Sequence, residues 1–192
     1  MPAICLCVLN SHCINNKVLF IKDYVVDHQI DTLGITETWT TSDGESNCVV
    51  NELSPRGYSF IHVPRKKRFS GGIGLLYNTS LKIERVDCNS YASFEYLEVK
   101  LHTASTVAVV YRPPLWKVNK LTSAQFFHDF NDLLEHFSVS YGRLLIMGDF
   151  NLHVINHLVI VWRLNFLIFW TLITWPSMLQ NLHTSVRSRW TW

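Results

Sequence analysis

Several marks of common protein classes are missing from this sequence. Its five cysteines, Cys5, Cys7, Cys13, Cys48 and Cys88, are odd in number and scattered. No C-x-x-C occurs, since Cys5-Leu6-Cys7 is one residue too short, and no histidine or cysteine lies nearby at zinc-site spacing. Against a disulfide framework or a structural zinc site, reduced structural thiols without disulfide partners are the better reading. The N-terminus Met1-Pro2-Ala3-Ile4-Cys5 lacks the charged start and long apolar run of a signal peptide. The sequon Asn78-Thr79-Ser80 is accordingly read as a chance match, and an intracellular protein, nuclear or cytoplasmic, is expected. Charge of one sign is also lacking: the net charge of +2 names no partner by itself, so local clustering has to.

What the chain does have is core. With 192 residues, 48% of them hydrophobic and 13% aromatic, it can form one domain, or one domain with an appendage. Residues 4–9 read as a buried strand, and the apolar spacing of residues 17–28 predicts a helix. Residues 30–35 form a second expected strand. The polar stretch 40–57 reads as a surface loop. Strands follow at 58–63, 73–77, 81–86, 94–101 and 106–111. Phe126, Phe127, Phe130, Leu133, Leu134 and Phe137 set a helical stripe over residues 123–137. Successive strands with two sheet-covering helices predict a layered α/β sandwich.

The last predicted strand, Leu144-Leu145-Ile146-Met147, runs into Gly148-Asp149-Phe150-Asn151. Side chains at i and i+2 of a strand point the same way, so Asp149 and Asn151 should emerge together. Alone they could be no more than an Asx turn. Three other strand ends carry polar residues of no use to a core: Asn10, Glu37 and Tyr111. Gathered on one rim, the set offers a carboxylate pair, two amides and a phenol. Glu37 and Asp149 could then hold Mg²⁺ while the amides and the phenol donate to phosphate oxygens, as phosphodiester hydrolysis requires.

Six motifs occur in order: Leu9-Asn10 with Asn15-Asn16-Lys17, Ile35-Thr36-Glu37-Thr38-Trp39, Gly71-Gly72-Ile73-Gly74-Leu75-Leu76, Ser93-Phe94-Glu95-Tyr96-Leu97, Val110-Tyr111-Arg112-Pro113-Pro114 and Gly148-Asp149-Phe150-Asn151. Together they resemble the endonuclease/exonuclease/phosphatase family, specifically the apurinic-endonuclease-like domain of LINE-type (non-LTR) retrotransposons. The resemblance runs from about Cys5 to Val154. It implies a four-layered α/β sandwich of the DNase I-like type, which nicks DNA with one Mg²⁺ (or Mn²⁺) ion to prime reverse transcription. It implies metal and phosphate contacts for Asn10 and Glu37, phosphate binding for Tyr111, orientation of the attacking water for Asp149, and transition-state support from Asn151. Arg65, Lys66, Lys67 and Arg68 read either as DNA-phosphate contacts or as a solvated loop, and Arg112 as a further phosphate contact.

The pattern then breaks. The family's Thr-His…Thr-Leu-Asp segment and its terminal Ser-Asp-His are both missing, and with them the acid–base histidine and the aspartate that orients it. Such groups contribute about 10²–10⁴-fold, so an inactive or impaired chain is expected. Residues 155–192 are instead rich in tryptophan and apolar residues. One reading is a marginal membrane helix over 158–175, burdened by Arg163 and Asn165; roughly 17–25 residues are needed to span. The other is a shifted frame. Read one nucleotide earlier, Phe169-Trp170-Thr171 must encode Leu-Asp, because tryptophan has a single codon. Arg189-Trp190-Thr191-Trp192 becomes Leu, Met or Val, then Asp, then one of the same three. His183-Thr184 allows Thr-His, and Asn165-Phe166 allows Glu or Lys before Phe, as in a helix that the family has there. Expected boundaries are thus a C-terminally incomplete family domain over 1–154 and a frame-shifted tail over 155–192. The expected partners are DNA and, in the intact element, a downstream reverse transcriptase; a non-catalytic nucleic-acid-binding remnant and a membrane-tethered protein remain as alternatives.

Overall fold

Alternation along the strands decides the layering. In the computed structural model, residues 4–40, 48–63, 71–86, 90–102, 105–114, 122–139 and 142–151 are described in full, and 47, 161–162, 166–170 and 188–190 by their backbone. β1 (Ile4–Asn10) and β2 (Thr32–Thr36) pair in parallel, and β4 (Ile73–Asn78) and β3 (Tyr58–Val63) extend that sheet antiparallel. The second sheet runs β5 (Ile83–Val86), β6 (Glu95–Leu101), β7 (Ser105–Tyr111) and β8 (Arg143–Asp149), with β7 and β8 parallel.

The two sheets pack face to face. Leu6 and Val8 of β1 meet Leu97, Val99, Val107, Val109, Leu145 and Met147 of the second sheet in one core. The intervening residues point outward, as a period of two demands. Cys5 and Cys7 therefore face Val18, Ile21 and Val25 of α1 (Val18–Asp27). Ala108, Val110, Leu144 and Ile146 face Phe126, Leu133 and Phe137 of α3 (Ser123–Ser138). Helix, sheet, sheet and helix make four layers: the strand and helix spacing led one to expect a layered sandwich, and the family resemblance implied four.

Two expectations are corrected. The stretch 40–57, read as loop, contains a short helix, α2 (Asn47–Leu53). Leu53 is fully buried in the core beneath α1, and Val49, four residues earlier, packs beside it, so an i, i+4 apolar pair docks the turn. The apolar tail does not form a membrane helix where it is described. Residues 161–162 and 166–170 are strands, β9 (Val161–Trp162) and β10 (Phe166–Trp170), and β10 pairs in parallel with β8. Among the described residues no helix is long and apolar enough to cross a membrane. Phe, Ile and Trp favour extended backbone, which accounts for a strand where the family resemblance implies a helix. β11 (Ser188–Trp190) pairs antiparallel with β1.

Candidate active site

Parallel pairing puts strand ends side by side. β1 and β2 finish together at Asn10 and Thr36, which are partners across the ladder, and β7 and β8 finish together at Tyr111 and Asp149. Because the sheets are stacked, the two rims meet. The Asn10 side-chain amide bridges them: its Nδ2 donates to Glu37 Oε1 at 3.1 Å and to Asp149 Oδ2 at 2.8 Å. Tyr111 closes the set by donating its hydroxyl to Glu37 Oε1 at 3.2 Å. Asn151, at a left-handed φ of 44°, donates Nδ2 to the Arg112 carbonyl at 2.7 Å, and its backbone N–H donates to Asp149 Oδ1 at 3.1 Å. All five strand-end residues singled out in the sequence converge.

Glu37 and Asp149 are each only 7% exposed. Burial raises the Asp149 pKa above the ordinary aspartate range; hydrogen bonds from Asn10 and Asn151 oppose this, and the Glu37 charge adds to it. Burial raises the Tyr111 pKa strongly, aided by the charge and the hydrogen bond of Glu37, so the phenol is fixed as a proton-bearing donor. A divalent cation fits this donor set. Two buried carboxylates share one neutral amide, and oxygen ligands suit Mg²⁺ or Mn²⁺. Among the described residues no three His, Cys, Asp or Glu side chains gather as a cage. Mg²⁺ typically binds through one or two carboxylates plus waters and substrate phosphates, so it does not require one.

Arg112 is corrected. It is 2% exposed, its guanidinium carbon lies 4.5 Å from the Phe126 ring centroid, and Nη2 donates to Ser123 Oγ at 3.1 Å. Tyr111 faces the space between the sheets, so its neighbour faces α3 and is enclosed there rather than held out at the rim. Arg65, Lys66, Lys67 and Arg68 lie outside the described residues.

Two site residues were not anticipated. His12 Nδ1 lies 2.7 Å from Glu37 Oε2. Glu95, opposite Tyr111 in the ladder, accepts the Gly72 N–H through Oε2 at 2.7 Å and so ties the Gly71-Gly72 turn to the rim. Glu95 stood inside a recognised motif; its position at the start of an apolar run was the available signal.

A family profile described as the endonuclease/exonuclease/phosphatase family matches residues 8–191. The chain belongs to this family. Its fold is that of several solved structures. The AP endonuclease LMAP from Leishmania major superposes with a TM-score of 0.62 at 15% identity, covering 84% of this chain and 59% of that one. The human Nocturnin catalytic domain, solved with a bound sulfate anion, gives 0.57 at 14% identity, covering 79% and 65%. The 3′ phosphatase NExo from Neisseria, bound to a product DNA hairpin, gives 0.56 at 15% identity, covering 78% and 58%. The chain thus spans roughly three fifths of the length of these structures. No curated protein sequence matches it at a significant level.

Proposed function

We propose that this family domain is of the LINE-type retrotransposon class, built for Mg²⁺-dependent nicking of DNA, and that this chain is catalytically impaired. The observation that carries the reading is the Asn10 amide joining Glu37 of one sheet to Asp149 of the other. When bound, Mg²⁺ or Mn²⁺ neutralises phosphate charge and polarises the phosphorus centre. Glu37 and Asn10 offer it oxygen ligands. Asp149, with its raised pKa, accepts a proton from the attacking water. Tyr111 donates to a phosphate oxygen, and Asn151 braces Asp149 from the far side.

No Asp or Glu follows Asp149 in the sequence, so the aspartate–histidine pair of the family pattern cannot be formed by residues 155–192. A frame shift after about Val154 accounts for this. Translation of the coding DNA one nucleotide back after that codon should give Thr-His…Leu-Asp-Leu; any other product removes the frame-shift reading.

The lost acid–base end favours a second reading, an intracellular remnant that holds DNA without cutting it. Retention of DNA on the immobilised full chain tests it. Binding should fall steeply between low and physiological salt if Arg65, Lys66, Lys67 and Arg68 contact phosphates. Binding that neither occurs nor responds to salt would remove DNA as the partner. In an intact element a reverse transcriptase downstream would use the nick.

A further inference from the structure

The residue that the family pattern does not account for is His12. Its imidazole is 73% exposed, yet its position is fixed by the backbone. His12 and Cys13 both sit at left-handed φ angles, 46° and 79°, and so does Glu37 at 53°. Such conformations in ordinary residues cost energy and persist where surrounding contacts impose them. Here the contacts are dense. The His12 N–H donates to Asn10 Oδ1 at 3.1 Å, and Ser11 Oγ donates to the carbonyls of Thr36 and Glu37 at 3.0 and 2.9 Å. The Cys13 N–H donates to the Glu37 carbonyl at 2.8 Å. Lys17 Nζ donates to the carbonyls of Ser11, His12 and Cys13. The loops after β1 and β2 are thereby clamped together, with the His12 ring between the Glu37 carboxylate and Trp39, whose ring centroid is 5.4 Å away.

The outcome is a 2.7 Å hydrogen bond between the imidazole Nδ1 and Glu37 Oε2, the carboxylate oxygen that neither Asn10 nor Tyr111 uses, so that a cation would have to take the place of the shared proton. Two neighbouring donors of one cation, each about 2.0–2.2 Å from it, stand roughly 3 Å apart. The pair is already at nearly that spacing. We propose that His12 Nδ1 is a nitrogen ligand of the divalent cation held by Glu37, giving this site a mixed nitrogen–oxygen character. The inference rests on the metal-site reading above. It adds a selectivity: imidazole is a poor ligand for Mg²⁺ and a better one for first-row transition ions, so Mn²⁺ is favoured over Mg²⁺ beyond what carboxylates alone give.

The test uses the full chain and MnCl₂, with no DNA and no turnover. Free Mn²⁺ is followed by electron paramagnetic resonance during titration, alone and against Mg²⁺. The bound ion is then examined by pulsed resonance for nitrogen coupling, in unlabelled protein and in protein carrying ¹⁵N-histidine. His12→Asn is the variant of choice, since asparagine tolerates the left-handed backbone. The expected result is a nitrogen coupling that changes with the ¹⁵N label and vanishes in His12→Asn. Mn²⁺ affinity should drop about tenfold or more, at least what the loss of an outer-shell partner brings, and the preference over Mg²⁺ should fall with it. Mn²⁺ binding that depends on Glu37, lost in Glu37→Gln, but shows no histidine coupling would overturn the His12 assignment alone. An unchanged preference in His12→Asn would do the same. A chain that binds no Mn²⁺ would overturn both this inference and the metal-site reading.

Discussion

At the scale of single residues, Asp149 and Arg112 show how burial reverses the ordinary meaning of a charge. The Asp149 pKa is raised in the folded state, so the native protein binds more protons than the unfolded chain wherever that group titrates. Its ionisation is a cost to folding that is present at neutral pH and disappears as the pH falls into the ordinary carboxylate range. Chemical denaturation of wild type and Asp149→Asn at successive pH values should therefore show the difference moving in favour of wild type from pH 7 downward. Arg112→Ala should destabilise the fold by about 1–3 kcal/mol, because it leaves Ser123 and the Phe126 face without their buried partner. The strand-end residues were legible because each polar group interrupts an apolar run. Arg112 was misread because its charge was weighed without the alternation that turns it from Tyr111. His12 was invisible because its pairing with Glu37 spans 25 positions and depends on left-handed backbone that no periodicity encodes.

At the scale of elements, the longer strands and helices follow from spacing, and the departures have local causes. α3 begins where expected, and the residue before it, Thr122, caps it by accepting the Gln125 N–H at 3.1 Å. Thr122→Ala should cost about 1 kcal/mol by denaturant titration. α2 escaped notice because seven residues with one apolar pair do not establish a period inside a polar stretch. Its docking is nonetheless firm: Leu53→Ala should cost about 2–5 kcal/mol, measured the same way, since the side chain is fully enclosed. Gly148 marks where β8 turns into the site. A Cβ there would fall 1.8 Å from the Val110 carbonyl oxygen, at a φ of 152°, so only glycine lets β7 and β8 approach this closely.

For the whole molecule, the site exists because two parallel strand pairs, one in each sheet, end on the same side of the sandwich. That meeting of rims is a tertiary fact: Asn10 and Asp149 are 139 positions apart and joined by one hydrogen bond. The sequence could suggest it only through family motifs, since period and propensity say nothing of which rims meet. The residues proposed to hold the cation and the phosphate are gathered there, while the residues after Asp149 supply no acid to orient a histidine. Plasmid nicking with Mg²⁺, comparing the full chain with Asp149→Ala, tests this imbalance most directly. The account predicts that wild type nicks no faster than Asp149→Ala; robust turnover by wild type, abolished by Asp149→Ala, would contradict it.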